Sequence, residues 1–133
     1  MEVNTSDSDG RTALLLASYD GHTDIVRLLL ENDASMDHCD AVDRTAMMYA
    51  ASGPNHETVR LLLEAVADPD VVDIEEGFSA LMFAAAEGQQ EVVRALLRNS
   101  ADVTLRDIDG DTARDFAAGN GHNEIVRMLE SKR

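Results

Sequence analysis

Side chains capable of acid–base, nucleophilic or metal chemistry are few in this chain of 133 residues, and their spacing argues against most of it. The histidines are His22, His38, His56 and His122. A general base needs a reacting proton and an orienting group within hydrogen-bond reach. His22 and His122 instead occupy the same place in two copies of a repeated segment, after a glycine, which marks them as helix-junction residues. Cys39 has only His38 beside it, far short of the four ligands of a structural zinc site. No Ser or Thr stands where a neighbouring base would activate it. Asp107-Ile108-Asp109-Gly110-Asp111 has the alternating carboxylates that open a calcium loop. That loop wants Gly at its sixth position and a bidentate Glu at its twelfth, where this chain has Thr112 and Ala118. The expectation is therefore no catalytic residue, no cofactor and no metal.

The elements that would position any such group come from an internal repeat. Thr12, Thr45, Ser79 and Thr112 lie 33, 34 and 33 residues apart. Ala17, Ala50, Ala84 and Ala117 repeat those steps, as do Val26, Val59, Val93 and Val126. The extra residue falls among Ile74, Glu75 and Glu76. In each copy Thr or Ser precedes a run of Ala, Leu and Met, the pattern of an N-cap with a short helix behind it. A break follows, Gly-containing in most copies. A second helix then carries apolar residues at helical spacing, such as Ile25, Val26, Leu28 and Leu29. The Asp-rich stretch after it reads as an extended turn, with Gly10 and Gly110 available for positive φ.

Charge bounds the partners. The chain has 26 Asp and Glu against 11 Lys and Arg, a net charge of −15. Contacts to nucleic acid or to an anionic membrane need clustered Lys and Arg, so neither is expected. No apolar run approaches the length of a bilayer span, and the start MEVNTSDSDG is not a secretory signal. A single cysteine excludes an internal disulfide and fits a reducing compartment. These features point to a cytoplasmic, intracellular setting.

A helix–turn–helix–hairpin unit of this period, with these anchors, resembles the ankyrin repeat. The resemblance implies an all-α repeat solenoid of stacked helix pairs joined by β-hairpin-like loops, in one domain over residues 1–133. Units run over about 7–39, 40–72, 73–106 and 107–133, and residues 1–6 resemble the tail of a preceding unit. TALL, TAMM, SALM and TARD stand where the family has Thr-Pro-Leu-His. Asp33, Val66 and Ser100 replace the glycine after the second helix. Asn32 and Asn99 are expected to take the left-handed conformation one residue earlier, whereas Val66 has no such neighbour. Pro54-Asn55 replaces Gly-His in the second unit, the junction expected to be weak or remodelled.

The two ends differ. Arg114 and Asp115 put charge where earlier units have Leu14-Leu15, Met47-Met48 and Leu81-Met82, as a C-terminal capping repeat should. Leu14, Leu15 and Leu16 have no polar capping face before them. Exposed Leu14 and Leu15 would allow weak self-association through the first unit, or the chain is part of a longer array.

The acid pattern is uneven. Hairpin segments 3–11, 35–44, 68–78 and 102–111 hold 40 residues, 14 acids and three arginines, a net of −11. The other 93 residues hold 12 acids and eight bases. In the second helices Asp24, Glu57, Glu91 and Glu124 each precede an arginine by three residues, a weakly stabilising pairing on one helix face. The resemblance implies that hairpin tips and the exposed side of the first helix form a concave partner-binding groove. The register gives Ser8, Asp9, Arg11, Tyr19 and Asp20 from the first unit, and Val42, Arg44 and Ser52 from the second. The third adds Ile74, Glu75, Glu76, Phe78 and Glu87, and the last Ile108, Asp109, Asp111 and Asn120. Tyr19, Ile74, Phe78 and Ile108 are expected to be exposed apolar anchors in a charged rim. The implied function is non-catalytic binding of a basic or mixed basic/apolar segment of another protein. The alternative is a structural or targeting segment of a longer scaffold or multidomain enzyme.

Overall fold

A computed structural model describes residues 3–131. Among these, eight helices follow one another in pairs: α1 (Ala13–Asp20) with α2 (Thr23–Glu31), α3 (Ala46–Ala51) with α4 (His56–Glu64), α5 (Ala80–Glu87) with α6 (Gln90–Arg98), and α7 (Ala113–Gly119) with α8 (Asn123–Glu130). Odd-numbered helices stack on odd and even on even, giving two layers of an all-α repeat solenoid.

Each odd helix starts where the repeated hydroxyl stands. Thr12, Thr45, Ser79 and Thr112 are extended, and their side-chain oxygens accept from the backbone N–H of Leu15, Met48, Met82 and Asp115 at 3.3–3.4 Å. Such a cap contributes about 1 kcal/mol. It also sets the rotation of the helix, sending Leu14-Leu15, Met47-Met48 and Leu81-Met82 into the core. Ala50, Ala51, Ala84, Ala85 and Ala117 are fully buried. A small residue at these points lets neighbouring helices approach closely.

This rotation corrects one expectation. Leu14 and Leu15 are each only 1% exposed. They face the interior, as their counterparts do. The open surface of the first pair is made by Leu16, Ile25 and Leu28 instead, with Leu28 58% exposed. Thr58, Val92 and Ile125 share the register of Ile25 and are sealed, because a preceding pair covers them. Nothing among the described residues covers Ile25. The opposite end is closed by polar groups. The Asp115 carboxylate accepts in return from the Thr112 N–H at 2.9 Å, completing a capping box, and Arg114 pairs with Glu130 at 2.6 Å.

A second correction concerns the left-handed residues after the even helices. Asp33, Val66 and Ser100 themselves take φ of +68°, +70° and +63°, at the family's glycine position. Asn32 and Asn99 stay at φ −106°. Their side-chain amides turn back to cap the helix, donating to Leu28 O at 2.8 Å and Ala95 O at 3.0 Å. Val66 is 84% exposed, so no packing compensates a β-branched residue held in that strained region. The Pro54 junction is remodelled: α3 stops at Ala51, and Ser52 caps it in a right-handed conformation where α1 and α5 end on left-handed Gly21 and Gly88. Asn55 Nδ2 bridges the break, reaching Tyr19 O at 3.2 Å and Ala50 O at 3.3 Å.

Candidate protein-binding surface

The hairpins that carry most of the charge are built around one repeated aspartate. Asp7, Asp40 and Asp107 each accept, through Oδ1, the N–H groups two and four residues on, at 2.8–3.0 Å. A carboxylate satisfying two backbone donors holds a tight turn without regular strands, and only an isolated Val72–Ser79 bridge forms among the described residues. The inserted residue is absorbed inside the third such loop. There Asp73 Oδ1 reaches three and five residues on, to Glu76 N at 3.0 Å and Phe78 N at 3.2 Å. Asp107-Ile108-Asp109-Gly110-Asp111 is the fourth loop, where Asp107 Oδ1 accepts from the N–H groups of Asp109 and Asp111. Among the described residues no three His, Cys, Asp or Glu side chains converge to hold a metal ion.

Neighbouring tips are tied into a row by backbone hydrogen bonds. Ala41 N donates to Asp9 O at 2.9 Å, Ile74 N to Val42 O at 2.9 Å and Ile108 N to Glu76 O at 3.0 Å. The approach is tight enough to require glycine at Gly10, φ +78°, where an added Cβ would lie 2.9 Å from Ala41 N. The tips therefore form one continuous edge.

Along this edge the sequence-derived positions divide. Ser8, Asp9, Tyr19, Asp20, Ile74, Glu75, Glu87, Ile108, Asp109, Asp111 and Asn120 are exposed. Arg11, Val42, Arg44, Ser52, Glu76 and Phe78 are half-buried. Phe78 thus departs from its expected exposure, because it packs edge-to-face on Phe83 and on Phe116, with ring centres 5.4 Å apart in each case. Arg44 is held within the fold. Its Nε lies 3.1 Å from the Asp73 carboxylate, whose side chain is buried, and its guanidinium sits 5.8 Å from the centre of the Phe83 ring. Arg11 pairs with Asp7 at 2.9 Å and Asp9 at 3.3 Å. Asn120 Nδ2 donates to Ala86 O at 3.0 Å, so its amide ties two helix pairs together.

Three contributors escaped the sequence reasoning. Tyr49, Phe83 and Phe116 stand four residues after their N-caps, in register with Leu16, and line the first-helix side of the surface. Tyr19 meets Tyr49 edge-to-face at 6.2 Å. A register column holding Leu, Tyr, Phe and Phe in a chain with 4% aromatics was the available signal.

Electrostatics follows from this hydrogen bonding. At Asp40, burial works against the charge, but the Tyr49 hydroxyl at 2.5 Å and the N–H groups of Arg44 and Val42 outweigh it, leaving the carboxyl below its usual range. The Tyr49 phenol is pushed up in turn, by burial and then by Asp40. Asp7 is lowered, chiefly by the Arg11 N–H. Cys39 is raised by burial and by Asp43, Asp40 and Asp37, so its thiol stays protonated and weakly nucleophilic. His38 Nε2 lies 2.8 Å from Gly10 O, joining the first two hairpins, and His122 Nε2 3.1 Å from Ala86 O, joining the last two units.

On the other side of the stack the first-turn acids are paired, while Glu31 and Glu64 at the ends of α2 and α4 form no ion pair among the described residues. Asp24–Arg27 and Glu57–Arg60 stand at 3.3 Å, Glu124–Arg127 at 3.1 Å, and Glu91 contacts Arg94. The helix-pair geometry, the hydroxyl N-caps and the tied hairpin row agree with a family model described as ankyrin repeats (3 copies), which matches residues 1–73 and again 55–132. The chain belongs to the ankyrin-repeat family. No curated protein matches it significantly. Ankyrin repeats are generally protein–protein interaction modules and generally non-catalytic. No helix described is long and apolar enough to cross a membrane.

Proposed function

We propose that this ankyrin-repeat chain acts as one domain that binds a basic or mixed basic/apolar segment of another protein along its hairpin tips and first-helix side. It needs no cofactor and no chemistry of its own, and it works in the cytoplasm. The observation that carries the reading is the contrast in pairing. Glu87, Asp109 and Asp111 are exposed without an ion pair among the described residues, whereas all four first-turn acids of the even helices have an arginine. Tyr19, Ile74 and Ile108 are exposed on the hairpin and first-helix segments of the first, third and fourth units. They supply apolar area inside a charged rim, the composition of an interface with energetic anchors. A row of like charge raises the association rate of a basic partner and is screened by salt. The same charge repels nucleic acid and anionic lipid.

The test is a pull-down at low and high salt, followed by titration of the captured protein. Affinity for the partner should fall steeply as salt rises, and the Glu87→Lys, Asp109→Lys pair should weaken it at least about tenfold. A complex indifferent to both changes would contradict the reading.

The open face of the first pair favours a further, weak self-association through Leu16, Ile25 and Leu28. A sedimentation coefficient that rises with concentration, and stops rising in Leu28→Glu, is the expected outcome.

A further inference from the structure

Arg44 and Phe78 occupy the same register, immediately before the N-caps Thr45 and Ser79. Their surroundings one unit onward also correspond. Arg44 extends to the next hairpin and the next first helix, where Asp73 lies 3.1 Å from its Nε, Glu75 3.8 Å from its second nitrogen, and Phe83 beneath its guanidinium. One unit on, the matching residues are Asp107, Asp109 and Phe116, but the position that would supply the cation holds Phe78. The fold therefore shows, in one junction, how this surface accepts a guanidinium, and repeats most of that setting in the next junction with no arginine in it.

In the second junction Phe78 stands against Phe116 as Arg44 stands against Phe83, with ring centres 5.4 Å apart, and leaves a cleft open beside the rings. Phe78, Phe83 and Phe116, with Met82 and Ala86 beneath, line a shallow apolar cleft of about 30 Å³. The cleft borders the fourth hairpin, because Gly77 packs against it: an added Cβ there would lie 3.4 Å from Asp107 Cα. In that hairpin Asp109 and Asp111 are exposed and form no ion pair among the described residues. Arg106 is turned to Gly110 O at 2.7 Å.

We propose that this cleft receives an arginine side chain of a partner protein, its methylenes and guanidinium plane against Phe78 and Phe116 and its N–H groups on the carboxylates of Asp109 and Asp111. The inference rests on the basic-segment reading above and narrows it to one residue type and one place. Arginine is favoured over lysine because a planar guanidinium both stacks on a ring and presents parallel donors to carboxylates, whereas an ammonium is a compact, strongly hydrated point charge. The apolar walls favour a leucine-like neighbour on the same segment. Phe78→Arg should close the site from within, since an arginine there would reach Asp107 as Arg44 reaches Asp73.

The experiment is a ¹H–¹⁵N chemical-shift titration of the whole chain with two probes, acetyl-Leu-Arg-Leu-amide and acetyl-Leu-Lys-Leu-amide. The arginine peptide should bind about threefold or more tighter than the lysine peptide. Its shifts should concentrate at Phe78, Phe116 and residues 108–111. Phe78→Arg should keep a dispersed spectrum and lose the saturable shifts. Should that variant unfold, Asp109→Asn with Asp111→Asn serves instead and should bring the two peptides to equal affinity. Equal binding of both peptides to the unaltered chain, with shifts spread over all four hairpins, overturns the arginine site and leaves the broader reading standing. No saturable shift with either peptide also overturns it, while the broader reading is then judged by the salt dependence of the captured partner.

Discussion

The two faces of the stack use the same residue type differently. On α2, α4, α6 and α8 each first-turn acid meets the helix N-terminus and an arginine one turn on, so its charge is neutralised locally. On the hairpin face each loop commits at least one aspartate to backbone N–H groups, with Asp68, Asp70 and Asp102 accepting such groups besides the repeated one, and others such as Asp109 and Asp111 project from the tied edge. The difference teaches that net charge says little until each acid is assigned a partner. Part of the −11 in the hairpins is structural, and only the remainder is available for recognition.

The comparison is broken most severely at Asp73. Its carboxylate holds two N–H groups of the longest hairpin and anchors Arg44 while its side chain is fully buried. Asp73→Ala should lose about 3 kcal/mol in urea unfolding, since it leaves buried donors and a cation uncompensated. On the opposite face, Glu91→Gln removes a solvent-exposed pair and should cost only about 0.3 kcal/mol. Similar losses for the two would erase the distinction between them.

A smaller effect separates the second hairpin from the rest. Asp40 has a lowered folded-state value, so its stabilising contribution is present above the ordinary carboxylate range and is lost as pH falls through that lowered value. Tyr49→Phe removes the hydroxyl donor. It should raise the Asp40 titration midpoint toward the usual range, seen by carboxyl NMR, and destabilise the chain by about 1 kcal/mol near neutral pH. Once the pH is below the lowered Asp40 value, the variant and the unaltered chain should converge in stability. An unmoved Asp40 midpoint would show that the two backbone N–H groups alone set it.

Much of the fold was legible in the sequence, because repeats print the same physics several times. Thr12, Thr45, Ser79 and Thr112 announced four helix starts, and the acid–arginine spacing announced the paired face. What was not legible depends on rotation and on neighbours. Leu14 and Leu16 are the same residue type two positions apart, and only the set of the capped helix decides which is buried. Val66 has no side-chain reason to be left-handed; the bonds that end α4, Val66 N to Leu63 O at 2.9 Å and Ala67 N to Leu62 O at 3.0 Å, hold it there. Phe78 stands out in the sequence for its place beside the insertion, but its half-buried pairing with Phe83 and Phe116 takes two units in three dimensions. Asp7, Asp40, Asp73 and Asp107 recur 33, 33 and 34 residues apart. That interval is itself a signal that these four form the turns, and it lies hidden among the other hairpin acids.

The central claim is that recognition uses the hairpin face and not the paired face. Its most direct measurement compares two double charge reversals with equal change in net charge, Glu87→Lys with Asp109→Lys and Glu57→Lys with Glu91→Lys, for binding of the captured partner at one salt concentration. The first pair should weaken the complex at least about tenfold while the second leaves it within about twofold. Equal losses from both would mean that bulk charge alone attracts the partner, and a larger loss from the second would place recognition on the opposite face.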